Sequence, residues 1–258
     1  MSRQERIDVI LADKGLAESR SQAQRLIMAG QVRVDGQVIH KPSRRVANDA
    51  QIEIESLPQF VSRGGKKLAA ALERFPVEVG DRVCADVGAS TGGFTDCLLQ
   101  YGAARVYAID VGKGLLHWRV RKDPRVVVME KTNARKLKSL PEAVDLATID
   151  ASFISLRTLL PVVCGWLAPR ADLIALIKPQ FEAGKKVVGK RGVVRDAAVH
   201  RRVVEDVIAS ACELGLAPLG VMQSPLRGPK GNVEFLFWCR NDIHSVEFEI
   251  PADLFQYD

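Results

Sequence analysis

The run Asp86-Val87-Gly88-Ala89-Ser90-Thr91-Gly92-Gly93 decides the reading of this chain. It closes an apolar run, Arg82–Val87, and opens a helical one, Phe94–Tyr101. Glycines between strand and helix let the backbone turn tightly and approach a ligand closely. Further apolar runs flank it at 105–111, 126–130, 144–150, 172–178, roughly 218–224, and 232–240, with helical stretches such as 197–214 between them. Repeated strand–helix units predict a mostly parallel sheet covered on both faces, an α/β fold.

The chain has 258 residues, 47% hydrophobic and 26% charged, with 20 Gly and 12 Pro. These are ordinary globular values and exclude disorder and low complexity. The longest apolar stretch, Leu159–Ala168, is interrupted by Pro161 and Gly165 and is shorter than the ~18 residues of a membrane helix. Met1–Ile10 alternates charged with apolar residues and has no apolar signal core, so a cytoplasmic location and no membrane partner are expected. Cys84, Cys97, Cys164, Cys212 and Cys239 form no C-x-x-C pair, so buried thiols are expected and no metal site.

The net charge is +6 and unevenly spread. Residues 113–138 hold nine Lys or Arg against two acids, and residues 182–202 hold seven against two. The end of the chain, 240–258, has one basic and five acidic residues. Two basic blocks suggest a polyanion-binding face, with the acidic tail elsewhere.

Residues 5–56 read as a separate unit. Ile7, Ile10 and Leu11 have helical spacing, and Gly15 stands where that helix would stop. Ser19 or Ser21 can cap a second helix carrying Ala23, Leu26 and Ile27, with Gly30 at its end. Val32-Arg33-Val34 and Val38-Ile39 flank a tight Asp35-Gly36 turn, and Ile52-Glu53-Ile54 is a further strand. This order of turn, helix and hairpin resembles an S4 RNA-binding domain. The resemblance implies that Arg6, Arg20, Arg25, Lys41 and Arg44 meet RNA phosphates, which gives affinity with little sequence readout.

A second acid, Asp110, ends the next strand 24 residues after Asp86, where a carboxylate can accept ribose hydroxyls of an adenosine. The turn is not G-x-G-x-x-G, which argues against a dinucleotide. Its D-x-G-x-x-x-G-G form resembles the S-adenosylmethionine loop of Rossmann-like methyltransferases. The resemblance implies cofactor contacts at Asp86, Gly88, Ala89, Ser90, Thr91, Gly92, Gly93, Asp110 and Asn133.

Four polar residues stand at or near strand ends. Asp150 and Lys178 end the fourth and fifth strands; Glu234 lies early in the last; Lys67 lies on the helix before the first. Ligands of open α/β sheets bind beyond the carboxyl ends of the strands. An antiparallel last strand would bring Glu234 to that edge. Together Lys67, Asp150, Lys178 and Glu234 resemble the K-D-K-E tetrad of RNA 2′-O-methyltransferases of the FtsJ/RrmJ type. Lys67 is chosen over Lys66 because it follows Arg63 by four residues and directly precedes Leu68.

With the S4-like unit in front, nearly the whole chain resembles the TlyA family. The motifs are 62–68, 86–93, 130–135, 149–153, 178–182 and 228–234; Leu115 departs from the family's usual Gln. The implied fold is a seven-stranded, mostly parallel Rossmann-like methyltransferase with a small α+β S4 domain. Boundaries are expected at 1–56, a linker 57–60, 61–242, and an acidic tail 243–258. The implied activity is S-adenosylmethionine-dependent 2′-O-methylation of cytidine in the RNA of ribosomal subunits. Arg63 and Arg135, with lysines and arginines of the 183–194 loop, would track the RNA backbone. His117 is expected on a partly exposed helix, and Trp118 in the core. Two alternatives are a cytolysin, since TlyA-like proteins are often called haemolysins, and a non-catalytic RNA-binding factor.

Overall fold

The computed structural model describes residues 4–54, 58–184, 187–189, 192–228, 230–241 and 248–257. The chain divides into two compact units, residues 1–59 and 60–258.

The first unit runs β1 (Gln4–Arg6), α1 (Ile7–Asp13), α2 (Arg20–Met28), β2 (Val32–Val34), β3 (Gln37–Ile39), β4 (Arg45–Ala47) and β5 (Ile52–Ile54). Ile7, Ile10 and Leu11 of α1 and Ala23 and Ile27 of α2 bury against Val32, Val34 and Ile39. Each fully buried aliphatic side chain contributes roughly 1.5–3 kcal/mol. Ser19 is the N-cap of α2, its Oγ accepting from the Gln22 amide at 3.2 Å. Asp35 and Gly36 both take left-handed φ, +49° and +77°, as a two-residue hairpin turn requires. The short β1–β4 pair was not legible in the sequence.

The second unit runs α3 (Gly64–Arg74), β6 (Val83–Val87), α4 (Gly93–Gln100), β7 (Arg105–Ile109), α5 (Trp118–Arg121), β8 (Val126–Met129), a 3₁₀ turn (Ala134–Lys136), β9 (Val144–Ile149), α6 (Leu156–Cys164), β10 (Leu167–Ile177), α7 (Pro179–Glu182), α8 (Ala197–Glu213), β11 (Leu216–Gln223) and β12 (Phe235–Asn241). Its sheet has seven strands in the order β11-β12-β10-β9-β6-β7-β8. Only β12 is reversed, antiparallel to both β10 and β11. Helices α3 and α4 cover one face and α6 and α8 the other. The buried Asp172 carboxylate ties three strands: it accepts from Arg82 Nη1 at 2.7 Å, Trp238 Nε1 at 2.9 Å and Arg240 Nε at 2.9 Å.

Some expectations need correction. Phe60, read as linker, is buried beneath Gly65 of α3. Of the expected linker, residue 57 lies outside the described residues. Within the expected acidic tail, Leu254 and Phe255 are buried in the core and Tyr257 packs against it. Phe248, Ile250, Leu254, Phe255 and Tyr257 are interspersed with acids and Pro251, so no regular helix or strand period marks them. Trp118, expected in the core, is 62% exposed, with Lys122 Nζ 5.7 Å from its ring centroid. Cys212 is exposed and Cys164 half-buried; the other three thiols are buried. No helix among the described residues is long and apolar enough to cross a membrane.

Candidate active site

The parallel strands all deliver their carboxyl ends to one edge of the sheet. Asp150 directly follows β9, and Lys178 directly follows β10. Because β12 is reversed, Glu234, one residue before it, reaches the same edge. Helix α3 brings Lys67 to the site from its first turn.

Two ion pairs result. Lys67 Nζ donates to Glu234 Oε2 at 2.6 Å, and Gln180 Nε2 donates to Glu234 Oε1 at 3.3 Å. Lys178 Nζ lies 2.6 Å from Asp150 Oδ1, while its aligned hydrogen bonds go to Ser152 Oγ at 3.0 Å and the Asp150 carbonyl at 3.4 Å. Asp150 Oδ1 is therefore buried without an aligned hydrogen bond, as is Gln180 Oε1. Glu234 is only 1% exposed and Lys178 8%. Charges so far from water interact strongly and are tolerated because each is paired. Lys66, the neighbour of Lys67, is exposed.

All four residues line one cavity of about 490 Å³. Its lining also contains Gly88, Ala89, Ser90, Thr91 and Gly93 of the glycine-rich turn. Gly88 has φ +85°, and a Cβ there would stand 2.8 Å from the Asp150 carbonyl oxygen. Glycine is thus required for the turn to lie against the β9 end. On the other side, a Cβ at Gly228 would stand 2.5 Å from Glu234 Oε1, so the loop before β12 is held against the Lys67–Glu234 pair. Among the described residues five cations, Arg63, Lys67, Lys178, Arg227 and Lys230, face the cavity against two carboxylates, Asp150 and Glu234. The cavity is therefore suited to an anionic ligand.

The remaining candidates fall in three groups. Asp110 follows β7; its Oδ2 accepts from the Ser90 amide at 2.8 Å and its Oδ1 from the Gly112 amide at 2.7 Å. It thus braces the turn and stays half-exposed. Asn133 is exposed and caps the 3₁₀ turn, accepting from the Arg135 amide at 3.1 Å. Gly92 lies in the turn without lining the cavity.

Asp86 departs from expectation. It is 0% exposed and does not line the cavity. Its Oδ2 accepts from Thr95 Oγ1 at 2.6 Å, and Thr148 Oγ1 donates to its Oδ1 at 3.3 Å. Burial pushes its carboxyl pKa up to about 7, the Thr95 hydrogen bond opposing and the Asp150 charge reinforcing that rise. Asp86 therefore lies beneath the turn, held by two threonines, and not on the cavity wall.

In the first unit Arg6 and Arg20 both pair with the buried Asp8, at 2.9 and 3.0 Å, and Gln24 donates to it at 2.8 Å. Hydrogen bonds from Arg6, with help from Gln24 and Arg20, hold the Asp8 carboxyl well below the usual range, against its burial. Arg25, Lys41 and Arg44 are exposed, as are Arg63 and Arg135 of the second unit. Lys185, Lys186, Lys190 and Arg191 lie outside the described residues.

The structure adds cavity residues to which sequence reasoning gave no role: Ser152, Phe153, Gln180, Phe181, Arg227 and Lys230. Phe153 is 90% exposed, has φ +63°, and stands 5.0 Å from the Phe181 ring. The signal available was an aromatic four residues past the end of β9, after Asp150-Ala151-Ser152.

Comparison with known proteins agrees with this arrangement. Residues 60–241 match the FtsJ-like methyltransferase family and residues 5–52 the S4 domain. The chain is 50% identical over 246 residues to the 16S/23S rRNA (cytidine-2'-O)-methyltransferase TlyA of Mycobacterium tuberculosis, covering 93% of this chain and 91% of that one. It is 38% identical over 234 residues to Hemolysin A of Brachyspira hyodysenteriae, covering 90% and 98%. A solved structure from Streptococcus thermophilus, provisionally named a hemolysin, superposes with a TM-score of 0.74 at 39% identity, covering 99% of this chain and 94% of that one. A chain built of an S4 domain and an FtsJ-like methyltransferase domain, alike to these relatives over nearly all its length, belongs to the TlyA family.

Proposed function

We propose that the chain methylates the 2′-oxygen of a cytidine ribose in ribosomal RNA, using S-adenosylmethionine. The observation that carries this reading is the pair of lysines, each held by a buried or half-buried carboxylate, in one cavity with the glycine-rich turn. The name of the Mycobacterium tuberculosis relative supports the choice of RNA and of cytidine.

The site fits the methyl donor. The turn at Gly88–Thr91 lines the cavity, Asp110 braces that turn through the Ser90 amide, and the volume lies within the ~300–1,000 Å³ of small-molecule sites. When bound, S-adenosylmethionine supplies a methyl group on a sulfonium, an electrophile needing no further activation. Gly88, Ala89, Ser90, Thr91 and Gly93 would hold it, with Asp110 and Asn133 at its adenosine end.

The chain's own residues do the rest. A ribose hydroxyl is a poor nucleophile, so its orientation and its proton are the two problems. Ser152 and Asp150 fix Lys178 Nζ in place, and Lys178 would hold the hydroxyl oxygen and steer its proton away to solvent as that oxygen bonds to the methyl carbon and the donor's carbon–sulfur bond breaks. Glu234 and Gln180 fix Lys67, which holds the sugar from the other side. Orientation in such a site supplies up to ~7–11 kcal/mol in favourable cases. Arg25, Lys41, Arg44, Arg63 and Arg135 neutralise RNA phosphates, while Arg6 and Arg20 do so with the charge left after pairing with Asp8.

The test is transfer of labelled methyl from S-adenosylmethionine to isolated small and large ribosomal subunits. Label in the RNA of either subunit supports the reading. Absence of label from both, with protein that binds the donor, overturns it.

A further inference from the structure

A second cavity, of about 360 Å³, opens beside the first. Arg227 and Lys230 line both, and Arg195 lines the second alone. Its inner wall carries His200 and Tyr257, joined by a 2.5 Å contact between Nδ1 and the phenol oxygen, with His200 Nε2 3.1 Å from the Val194 carbonyl.

That wall is neutral. Burial pushes His200 below its ordinary value, against the Val194 carbonyl and the Asp196 charge, and Arg227 adds a smaller push in the same direction as burial. Burial holds the Tyr257 phenol up at about 12. Among the described residues no carboxylate lines the cavity. Asp196, the nearest acid in sequence, is turned to α8, where it caps the helix and accepts from the Ala198 amide at 2.8 Å. Among the described residues no ion pair is formed by Arg195, Arg227 or Lys230. Three cations thus meet over a hydrogen-bonding floor, with no anion among the described residues to answer them.

We propose that this second cavity binds a backbone phosphate of the RNA strand whose ribose occupies the first. The inference rests on the reading above that the substrate is RNA. A ribose and its flanking phosphates are covalently joined, so a strand reaching Lys178 lays phosphates close by. Arg227 and Lys230, standing between the two cavities, take that charge, and Arg195 closes the far side. The contact fixes where the strand enters and so which ribose meets Lys178, without reading a base.

The test measures binding of single-stranded oligocytidylate RNA, without methyl donor, across a salt series. Neutralising one phosphate contact lowers the slope of log affinity against log salt by roughly 0.7. The double variant Arg227→Gln/Lys230→Gln is expected to show that loss. A control, Arg74→Gln/Arg170→Gln, removes the same charge from the far end of α3 and the start of β10, and is expected to keep the wild-type slope. Melting temperatures of both variants check that the fold is intact. An unchanged slope in the first variant, or an equal loss in the control, overturns the proposal. Inorganic phosphate is the second arm: saturable phosphate binding with an oligocytidylate slope indifferent to the first variant assigns the cavity to a free anion and overturns the proposal as well. Because no methyl transfer is involved, a wild-type protein that shows the expected slopes but labels no subunit keeps the phosphate site and loses only the proposed activity.

Discussion

Lys67 Nζ and Glu234 Oε2 stand 2.6 Å apart although 167 positions separate them in the chain. The pair joins α3 to the loop before β12 and exists only because β12 is reversed. Removing one member leaves the other charged and buried, which costs about 3–5 kcal/mol. Lys67→Met is therefore expected to lower stability by about that amount in denaturant titrations. Lys67→Met/Glu234→Met restores most of the stability and none of the activity. Recovery of methyl transfer by the double variant would show that the pair serves the fold alone.

Lys178 is the group placed to manage the hydroxyl proton. Lys178→Ala is expected to cut single-turnover methyl transfer by about 10²–10⁴-fold. RNA affinity falls only slightly, because one buried lysine is a small part of the basic surface. A variant that turns over as fast as wild type removes Lys178 from the mechanism.

Phe153 offers an exposed aromatic face beside Lys178 and is held at a φ that side chains rarely adopt. Left-handed backbone of this kind costs on the order of 1 kcal/mol. Its persistence suits a platform for a base, and stacking is worth roughly 1–3 kcal/mol per base. Phe153→Gly is expected to raise the melting temperature while lowering kcat/KM for RNA about 5- to 150-fold. Unchanged kcat/KM would leave Phe153 without a part in RNA binding.

Asp86 gives a pH dependence with a definite sign. Its folded pKa of about 7 lies above the ordinary 3.8, so between those values the unfolded chain has released a proton that the folded chain retains. Wild-type stability from this group is thus greatest below pH ~4 and declines as pH rises to about 7. Asp86→Asn removes the titration. The melting temperature of the variant relative to wild type is expected to climb between pH 5 and pH 8. A difference that stays flat, or falls, contradicts the assignment.

The sheet and the tetrad were legible because their signals are local or ordered along the chain. Apolar runs bounded by Gly and Asp marked six strands within a few residues, and Asp150 and Lys178 stood at the ends of two. The start of β10 at Leu167 was not legible, since a register shift between Leu167 and Asp172 interrupts the apolar pattern. Asp86 was misread because a carboxylate before a glycine turn reads the same whether it faces a ligand or, as here, two threonines. Trp118 was misread because its bulk suggests burial, whereas the short α5 turns it outward. The second cavity was invisible, since Arg195, Arg227 and Tyr257 converge only through the packing of the C-terminal segment.

The central claim is that the methyl group goes to a ribose oxygen. Alkaline cleavage of RNA uses the 2′-oxygen as an internal nucleophile, so methylation there protects the adjoining phosphodiester. Ribosomal RNA from subunits treated with wild-type protein and S-adenosylmethionine is expected to show a protected bond after a cytidine, absent with Lys178→Ala. Methyl incorporation that leaves every bond open to alkaline cleavage would place the group on a base and contradict the account.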